Sequence, residues 1–537
     1  MNQYRSDALI IGGGLAGIAA ALELLERGLR VTLLDRDEEA NFGGLARESF
    51  GGIFVVGSDE QRRAKVRDSP ELAYQDWLGF GELDESDAWP RRWAETYVHR
   101  CRDEVYRWLK ERGLRFLPLP LWAERGDATR GNSVPRFHLA WGTGREIVHV
   151  LLRRLRAHPH RDRLDLRFGH RVERLVSGGG AVTGCAGALE ADRTPFEAFA
   201  SCVLVATGGV GGNQELMRRH WHPDWRQPPE VLLNGSHRYA DGRLHEAAGA
   251  AGARVTHLDR MWNYASGVRH PHPRKPQHGL SLVPSRSALW LDAGGRRLDP
   301  PLVSGFDTRS LVTRVCATER RYSWHLLNRR IALKELAISG AEFNPAIREH
   351  RKLAFLRDIV FGNRWLVGEM TREFPDVLTA DSPEELVRRM NALAGDDAVD
   401  IRSVRTALER YDAQIDLPPE MRADEQLRRI EQMRAWRGDR LRLCTGQKIL
   451  DPRALPLIAI RMFVISRKTL GGIQTDLDCR ALDARGEPVA GLYAAGEAAG
   501  FGGGGMHGLR ALEGTFLGGC VLTGRLAGQA IARALAG

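Results

Sequence analysis

A short apolar run followed at once by spaced glycines is the feature that most constrains this chain. Residues 8–11 read Ala-Leu-Ile-Ile, and Gly12, Gly14 and Gly17 follow in a Gly-x-Gly-x-x-Gly pattern that opens a helical stretch. Asp35 closes the next apolar run, RVTLLD. A buried strand, a tight glycine turn, a helix N-terminus and an acid at this spacing indicate a site for the pyrophosphate and ribose of a dinucleotide.

Each glycine of this motif has a separate physical reason. Gly12 permits the tight turn, Gly14 lets the backbone approach a diphosphate, and Gly17 allows the helix to pack closely on the strand. Backbone N–H groups and the helix dipole then hold the negative charge. The alternative is a glycine-rich turn with a structural role only, but the strand, the helix and the acid all agree with a nucleotide site.

Length, charge and cysteine usage exclude several classes of protein. At 537 residues the chain is long enough for two domains. No apolar run approaches the roughly 20 residues that span a bilayer, and the first apolar stretch lacks a signal-peptide pattern. We therefore expect no transmembrane segment and a cytoplasmic location.

The seven cysteines form no Cys-x-x-Cys pair, so we expect neither a metal site nor a disulfide framework. The net charge of +10 comes without a basic run interleaved with aromatic residues, so we expect no nucleic-acid partner. A solvated basic surface and a field that attracts an acidic substrate both stay open as explanations of the charge.

The chain divides into three segments by pattern. Residues 1–255 alternate strands and helices, residues 256–448 are rich in His, Pro, Arg and Trp with long polar helices, and the earlier style returns over 449–537. We expect an α/β fold: a Rossmann-like nucleotide-binding domain, split in sequence, with an inserted, largely helical α+β cap or substrate domain.

The C-terminal segment contains Gly491-Leu-Tyr-Ala-Ala-Gly-Glu497, which resembles the closing motif of two-domain flavoproteins. With Gly43-Gly44, Ala206-Thr-Gly-Gly209 and Asp241-Gly242, it makes the chain resemble the flavoprotein family of fumarate reductases, succinate dehydrogenases and 3-ketosteroid Δ1-dehydrogenases. The segments WGTG, RKTLGG and RALEGTFLGG make it most similar to the predicted FAD-binding dehydrogenases near the ketosteroid enzymes.

The resemblance implies FAD, and it assigns positions around the cofactor. The sequence shows no strong signature of covalent attachment, so we expect the FAD to be held noncovalently. Asp35 would bind the adenosine ribose, and Glu497 the ribityl chain; for Glu497 the alternative is a carboxylate that only stabilises a helix start. We also expect the four glycines at 502–505 to let the backbone approach the flat flavin ring. The implied cofactor-binding positions are Gly12, Gly14, Leu15, Ala16, Gly17, Asp35, Gly43, Gly44, Ala206, Thr207, Gly208, Asp241, Gly496, Glu497, Gly514 and Thr515.

The catalytic residues of the family are replaced in this chain. Fumarate reductases clamp a dicarboxylate with a His in an HT-x-GG segment, where this chain has Lys468, and with an Arg in HGANRLGG, where it has Ala511. Ketosteroid dehydrogenases carry a PYYA-like motif, but Pro456-Leu-Ile-Ala459 contains no tyrosine. Tyr264 and Tyr322 are candidates to supply one from elsewhere.

Four side chains remain as catalytic candidates. Arg461, Lys468 and Arg510 form a cationic set around the second approach to the flavin; if the strand around 457–465 alternates, Arg461 shares a face with Phe463 and needs a carboxylate or substrate partner. His507 is the proton-transfer candidate because histidine titrates near neutral pH. For each of these residues a surface ion pair or a structural loop role is the alternative.

The leading hypothesis is an FAD-dependent dehydrogenase that forms a C=C bond next to the carbonyl of a cyclic or steroid-like ketone. The substrate would be a carbonyl or enone compound, with hydride transfer to flavin N5, proton abstraction, and a separate electron acceptor. The alternatives are a fumarate-reductase-like enzyme that reduces an activated acidic alkene and a flavoprotein without turnover.

Overall fold

A computed structural model describes residues 2–537. The strands are β1 (Asn2–Arg5), β2 (Ala8–Ile11), β3 (Val31–Leu34), β4 (Gly52–Phe54), β5 (Phe137–Leu139), β6 (Leu164–Arg167), β7 (His170–Gly178), β8 (Ala181–Leu189), β9 (Pro195–Phe199), β10 (Cys202–Val205), β11 (Leu232–Asn234), β12 (Val255–Thr256), β13 (Met261–Arg269), β14 (Gly279–Val283), β15 (Leu289–Leu291), β16 (Tyr322–Asn328), β17 (Ala337–Ser339), β18 (Val377–Ala380), β19 (Leu457–Thr469), β20 (Gly472–Ile473), β21 (Arg480–Leu482) and β22 (Pro488–Ala494).

The helices alternate with these strands in the first unit and dominate the middle of the second. They are α1 (Leu15–Leu25), α2 (Leu45–Glu48), α3 (Asp59–Arg63), α4 (Pro70–Gly81), α5 (Ala88–Arg100), α6 (Trp108–Glu111), α7 (Thr143–Arg156), α8 (Gln214–Arg219), α9 (Arg243–Ala250), α10 (Thr308–Cys316), α11 (Arg329–Glu335), α12 (Pro345–Arg348), α13 (Lys352–Phe361), α14 (Arg364–Glu373), α15 (Pro383–Ala394), α16 (Ile401–Asp416), α17 (Glu425–Arg434), α18 (Arg437–Arg440) and α19 (Thr515–Ala536).

The chain forms two compact units, each assembled from separate stretches. The first unit comprises the chain up to His220, with Ser236–Trp262 and Lys468–Gly537; the second comprises Trp221–Gly235 and Asn263–Arg467. The boundaries expected from the sequence lay at 255/256 and 448/449. The structure divides later at both places, because the long strands β13 and β19 run mainly within the second unit.

The first unit is built on a six-stranded sheet in the order β21-β22-β10-β2-β3-β6. Strands β22, β10, β2, β3 and β6 are parallel, and β2, β3 and β10 are buried along their whole length. Burial on both faces is why these strands are continuous apolar runs in the sequence. The carboxyl ends of β2 and β10 meet where the strand order reverses, which is where open α/β sheets bind ligands.

Helix α1 is buried on every side, and α19 provides much of its cover. Glycine makes the approach possible: a Cβ at Gly524 would lie 2.3 Å from the Ala16 carbonyl oxygen, and one at Gly528 would lie 2.7 Å from that of Ala20. An ion pair of 2.6 Å between Glu23 and Arg525 closes the same contact. The helix that begins at the glycine motif is therefore fixed by the C-terminal helix.

The second unit contains a larger sheet than the sequence patterns indicated. Strands β15-β16-β19-β13-β14-β17 form its main order, and β11 and β18 also pair with β19. Strand β19 is almost entirely buried, so its sequence LIAIRMFVISRKT shows little of the alternation that marks a half-exposed strand. The mixed helix and sheet class expected from the sequence is confirmed.

Among the helices of residues 2–537, none is both long and apolar enough to cross a bilayer. Within the same residues, no group of three or more His, Cys, Asp or Glu side chains is arranged to hold a metal ion.

Candidate FAD site

The glycine motif forms an open cradle at the N-terminus of α1. Gly12 has φ +111°, and a Cβ there would lie 2.4 Å from the Ala206 carbonyl oxygen. At Gly17 a Cβ would lie 2.0 Å from the Gly12 carbonyl oxygen, so only glycine lets α1 pack here. Gly14 differs, because its nearest neighbour would be 4.0 Å away. The fold requires glycine at Gly12 and Gly17, whereas at Gly14 the missing side chain leaves space for a ligand.

A second pair of glycines lies beside the first. Gly43 donates a hydrogen bond to the Gly13 carbonyl over 3.0 Å, and Gly14 and Gly43 form a parallel bridge. Gly44 has φ +55°, and a Cβ there would lie 3.6 Å from Cα of Gly14. Two stretches of bare backbone thus line one side of the cradle, next to the positive end of the α1 dipole.

Asp35 connects the glycine loop to the end of β3. Its Oδ2 accepts a hydrogen bond from the Gly13 N–H at 2.6 Å, and its Oδ1 accepts one from the Asp37 N–H at 2.7 Å. Burial raises the pKa of Asp35, while these two backbone hydrogen bonds oppose the rise. The carboxylate therefore holds the loop in place at the position expected for ribose binding.

Asp37 is a buried carboxylate of the same loop that the sequence patterns did not reveal. It accepts hydrogen bonds from Asn41 at 3.0 Å and Arg238 at 2.8 Å, and His237 lies 3.2 Å away. Burial opposes ionisation of Asp37, yet these partners hold its pKa well below the usual range. His237 and Arg238 come from about 200 positions further along the chain, so no local motif marks them.

The loop after β10 lies on the other side of the place where the strand order of the six-stranded sheet reverses. Ala206 donates its N–H to the Ile11 carbonyl over 2.8 Å, and Thr207 and Gly208 follow, with Gly208 at φ +79°. A Cβ at Gly208 would meet nothing within 4 Å, so this backbone also faces open space. Asp241, which was expected near the cofactor, is in an ion pair of 2.7 Å with Arg36.

Glu497 lies in a short 3-10 turn at Gly496–Ala498, directly after β22. Its Oε1 accepts the Thr469 N–H at 2.9 Å, and the hydroxyl of Thr469 accepts the Val210 N–H at 2.9 Å. Gly209 packs under this pair, because a Cβ there would lie 2.3 Å from Oε1 of Glu497. The buried Thr469, the last residue of β19, joins both loops, and it was not singled out from the sequence.

His507 is fully buried and neutral. Its Nε2–H donates to Oγ1 of Thr515 over 2.8 Å, since that hydroxyl donates to the Leu512 carbonyl over 2.6 Å. The ring stacks on Trp77 at 5.5 Å. Burial, together with the charge of Lys468, lowers the pKa of His507 to about 3. Histidine titration near neutral pH, the reason for singling it out, is therefore absent at this position.

The other ring nitrogen of His507 makes this position a candidate binding atom. Nδ1 is buried and has no hydrogen-bond partner among residues 2–537. Because Nε2 carries the proton, Nδ1 is an acceptor that lacks a donor, which is costly unless a ligand supplies one.

Lys468 and His507 are brought together around one aromatic ring. The ammonium of Lys468 lies over the ring of Phe516 at 4.2 Å from its centroid, and that ring is 5.1 Å from the His507 ring. Phe516 follows Gly514 and Thr515 at the start of α19. Four of the expected site residues therefore lie in one cluster of the first unit.

The two arginine candidates have carboxylate partners. Arg510 forms an ion pair with Glu82. Arg461 belongs to the second unit, where its guanidinium lies 3.3 Å from buried Asp376 and donates to the Leu393 carbonyl over 3.0 Å. The expected carboxylate partner of Arg461 is thus present within the protein.

The glycine run at 502–505 is packed against the protein, so close packing is reason enough for these glycines, and their approach to the flavin ring stays a prediction. A Cβ at Gly502 would lie 2.6 Å from the ring of Trp93, and one at Gly504 would lie 2.3 Å from Oγ1 of Thr256. These glycines allow the loop to fit beneath helix α5. The contact residues are 250 to 400 positions away, so the local sequence does not show them.

The residues of the first unit fit FAD. Side chains at positions 14 and 44 would fill the cradle, so the two glycines keep it open for a ligand. The N–H groups at the N-terminus of α1 suit a pyrophosphate. The acceptor Nδ1 of His507 is the buried polar atom that a bound ring system with an N–H group satisfies. Which atoms of FAD these residues contact stays a prediction.

Comparison with known proteins identifies the family. The FAD binding domain family matches residues 7–517. The KsdD-like steroid dehydrogenase of Mycobacterium tuberculosis is 46% identical over 548 aligned residues, covering 98% of this chain and 96% of that protein. The expected resemblance to the ketosteroid dehydrogenase branch is confirmed.

Solved structures share the fold at low sequence identity. A 3-ketosteroid Δ1-dehydrogenase from Sterolibacterium denitrificans superimposes with a TM-score of 0.71 at 16% identity, covering 99% of this chain and 100% of that one. A flavocytochrome c3 fumarate reductase gives a TM-score of 0.69 at 19% identity, covering 99% of this chain and 79% of that one. The chain belongs to the FAD binding domain family, together with the KsdD-like steroid dehydrogenases, and is an FAD-dependent oxidoreductase.

Proposed function

We propose that this enzyme introduces a C=C bond next to the carbonyl of a steroid-like or cyclic ketone. The observation that carries the proposal is the 46% identity to a KsdD-like steroid dehydrogenase over 98% of this chain. In such a reaction a hydride leaves one carbon and a proton leaves its neighbour, and the electron pair left by the proton forms the new π bond. A separate acceptor then takes the two electrons from the enzyme.

The first unit supplies the groups that hold the cofactor. The bare backbone at Gly14 and Gly44 and the N-terminus of α1 would bind the pyrophosphate, Asp35 the ribose and Glu497 the ribityl chain. When bound, FAD supplies the hydride acceptor. We expect FAD to be held noncovalently.

His507 would act as a neutral hydrogen-bond acceptor in this site. Its pKa of about 3 leaves the imidazole uncharged at pH 7, and its Nε2 proton is committed to Thr515. Nδ1 is then free to accept from an N–H or O–H of the bound cofactor or substrate. We infer that His507 orients a bound group, and that Lys468 supplies the positive charge beside it.

The alternative, reduction of an acidic alkene, needs cations that are available to bind carboxylates. Arg461 is paired with Asp376 and Arg510 with Glu82, so both expected arginines have internal carboxylate partners. This pairing weakens the alternative and favours an uncharged ketone as substrate.

The seven free cysteines support the proposal of a reducing compartment, such as the cytoplasm.

The test is anaerobic mixing of the purified holoenzyme with a panel of 3-ketosteroids and cyclic ketones. We expect loss of the oxidised flavin absorbance together with gain of enone absorbance. Matched steroids with an alcohol in place of the ketone are the control and should leave the flavin oxidised. Chemically reduced enzyme that is reoxidised by unsaturated dicarboxylates, with no bleaching by any ketone, would favour the alkene reductase instead.

A further inference from the structure

Helix α13 of the second unit exposes its apolar side chains to solvent. Among residues 2–537 eight large apolar side chains are exposed, and five of them lie between 353 and 365. Leu353 is 85% exposed, Leu356 55% and Val360 65%. Spacings of three and four residues place these three on one face of the helix. Soluble proteins rarely expose such a contiguous set, and where they do it marks an interaction surface.

Both faces of α13 carry apolar side chains. Ala354, Phe355, Asp358 and Ile359 are partly buried, and the Ile359 carbonyl accepts a hydrogen bond from Lys334 of α11 over 3.4 Å. Leu353, Leu356 and Val360 stay exposed on the outer face. Surface helices of globular proteins usually turn polar residues towards solvent, so the apolar outer face departs from that pattern.

Basic residues border the exposed stripe on both sides. At 100° per residue, Lys352 and Arg357 lie on opposite flanks of Leu353, Leu356 and Val360. Residues 348–365 contain five basic and two acidic residues. Both acids are already paired, Glu349 with Arg348 at 2.6 Å and Asp358 with Arg357 at 3.1 Å. Phe361, the last residue of α13 and 68% exposed, and Trp365 of α14, 43% exposed, add to the exposed apolar surface.

We propose that α13, together with Trp365 near the start of α14, docks this enzyme on the surface of an anionic lipid bilayer. An exposed apolar stripe with basic flanks and a neighbouring tryptophan is typical of segments that lie at a membrane interface. The aliphatic side chains enter the acyl boundary, and Lys352 and Arg357 reach the headgroups. A second copy of the chain fits less well, because a symmetric contact would bring the same basic flanks together. The proposal is independent of the proposed substrate.

The test is co-sedimentation of the full-length holoenzyme with vesicles of equimolar phosphatidylglycerol and phosphatidylcholine. We expect binding that falls by at least about tenfold in Leu356→Glu/Val360→Glu, because two apolar anchors are lost. Pure phosphatidylcholine vesicles should bind the wild type more weakly, and Lys352→Glu/Arg357→Glu should lose the preference for the anionic lipid.

The matched control is Met421→Glu/Leu441→Glu, which changes two other exposed apolar residues of the second unit, 64% and 51% exposed. It should bind vesicles as the wild type does. This control and the two double variants of α13 should all retain FAD and turnover. Absence of binding by the wild type, or equal loss in the control, would overturn the proposal. So would a wild-type dimer in sedimentation velocity that Leu356→Glu/Val360→Glu converts to a monomer without any vesicle binding.

Discussion

His507 donates its Nε2–H to Oγ1 of Thr515 over 2.8 Å, and this single hydrogen bond fixes the tautomer of the ring. The hydroxyl is an acceptor here because its own proton goes to the Leu512 carbonyl over 2.6 Å. The unpartnered Nδ1 atom of His507 then offers a lone pair inside the first unit.

The first prediction concerns the pH dependence of stability. The pKa of His507 is about 3 in the folded protein against 6.5 as the ordinary value. A lowered pKa means that the folded state resists protonation, so its stabilising contribution is complete above pH 6.5 and is lost as the pH falls towards 3. The full contribution is on the order of 5 kcal/mol.

We therefore expect the melting temperature of the holoenzyme to fall more steeply in acid for the wild type than for His507→Gln. The glutamine amide can still donate to Thr515 but does not titrate. The control is His160→Gln, at an exposed histidine of the same unit, which should follow the wild-type curve. Parallel melting curves for wild type and His507→Gln between pH 7 and pH 4 would contradict the assignment of a neutral buried ring.

The second prediction separates the roles of two glycines in one motif. Gly17→Ala places a Cβ 2.0 Å from a carbonyl oxygen, so we expect loss of folded protein. At Gly14 a Cβ meets nothing closer than 4.0 Å, whereas a larger side chain would fill the cradle. We therefore expect Gly14→Val to give a folded apoprotein with FAD affinity lower by tenfold or more, at about 1.4 kcal/mol per factor of ten. Circular dichroism and the ratio of flavin to protein absorbance measure the two effects.

Gly249→Ala in α9 is the control for these substitutions, since a Cβ there meets nothing within 4 Å. It should fold and bind FAD as the wild type does, with stability equal or slightly higher. If Gly14→Val bound FAD normally, the cradle would have to lie elsewhere.

The third prediction concerns the acceptor that Glu497 provides for Thr469. Glu497→Gln keeps a carbonyl oxygen for the Thr469 N–H, now 2.9 Å away, and should retain the fold. Glu497→Ala leaves a buried N–H without an acceptor, which costs about 1–3 kcal/mol. Denaturant unfolding of both apoproteins measures this difference, and FAD titration then reports what the carboxylate contributes to the cofactor. Equal stability of the two variants would show that the Thr469 contact carries no weight.

The fourth prediction concerns Arg461, which contributes either to the stability of the fold or to the reaction. Asp376 is fully buried between Arg461 and Arg269, the latter at 2.7 Å. Asp376→Asn leaves both cations without their carboxylate and should cost about 3–5 kcal/mol, more than Arg461→Met. A double-mutant cycle should show coupling of about 1–3 kcal/mol, because the two residues share one ion pair.

The turnover of Arg461→Met per bound FAD distinguishes the two roles. An unchanged kcat/KM together with lower stability assigns Arg461 to the fold. A large fall in kcat/KM with stability intact would restore it as a catalytic residue and would reopen the reduction of acidic alkenes.

Local spacing was enough to predict the geometry of the glycine loop, because its groups lie within two neighbouring strands and the turn and helix that connect them. Gly14 and Asp35 are examples, since Asp35 meets the neighbouring Gly13 only 22 positions away. The same reasoning does not extend to groups whose environment is set by distant segments. His507 has an ordinary residue type, and its burial against Trp77 from α4 decides its charge.

The structure of the second unit was harder to predict from its sequence for a related reason. Strand β19 is buried on both faces, so its sequence lacks alternation, and Arg461 within it is neutralised by Asp376 from 85 positions earlier. The glycines at 502–505 were read as open backbone, yet Trp93 fills the space above them. Packing between distant segments is the information that a single sequence does not display.

The contact between α1 and α19 has a consequence for biosynthesis. Glu23 and Arg525 are 502 positions apart, so the helix that follows the glycine motif lacks the cover that α19 provides until the ribosome has made most of this sequence. At a synthesis rate of roughly 5–20 residues per second, tens of seconds pass between the synthesis of α1 and that of α19. Capture of the flavin is therefore a late event, and nascent chains stalled within the second unit should emerge colourless.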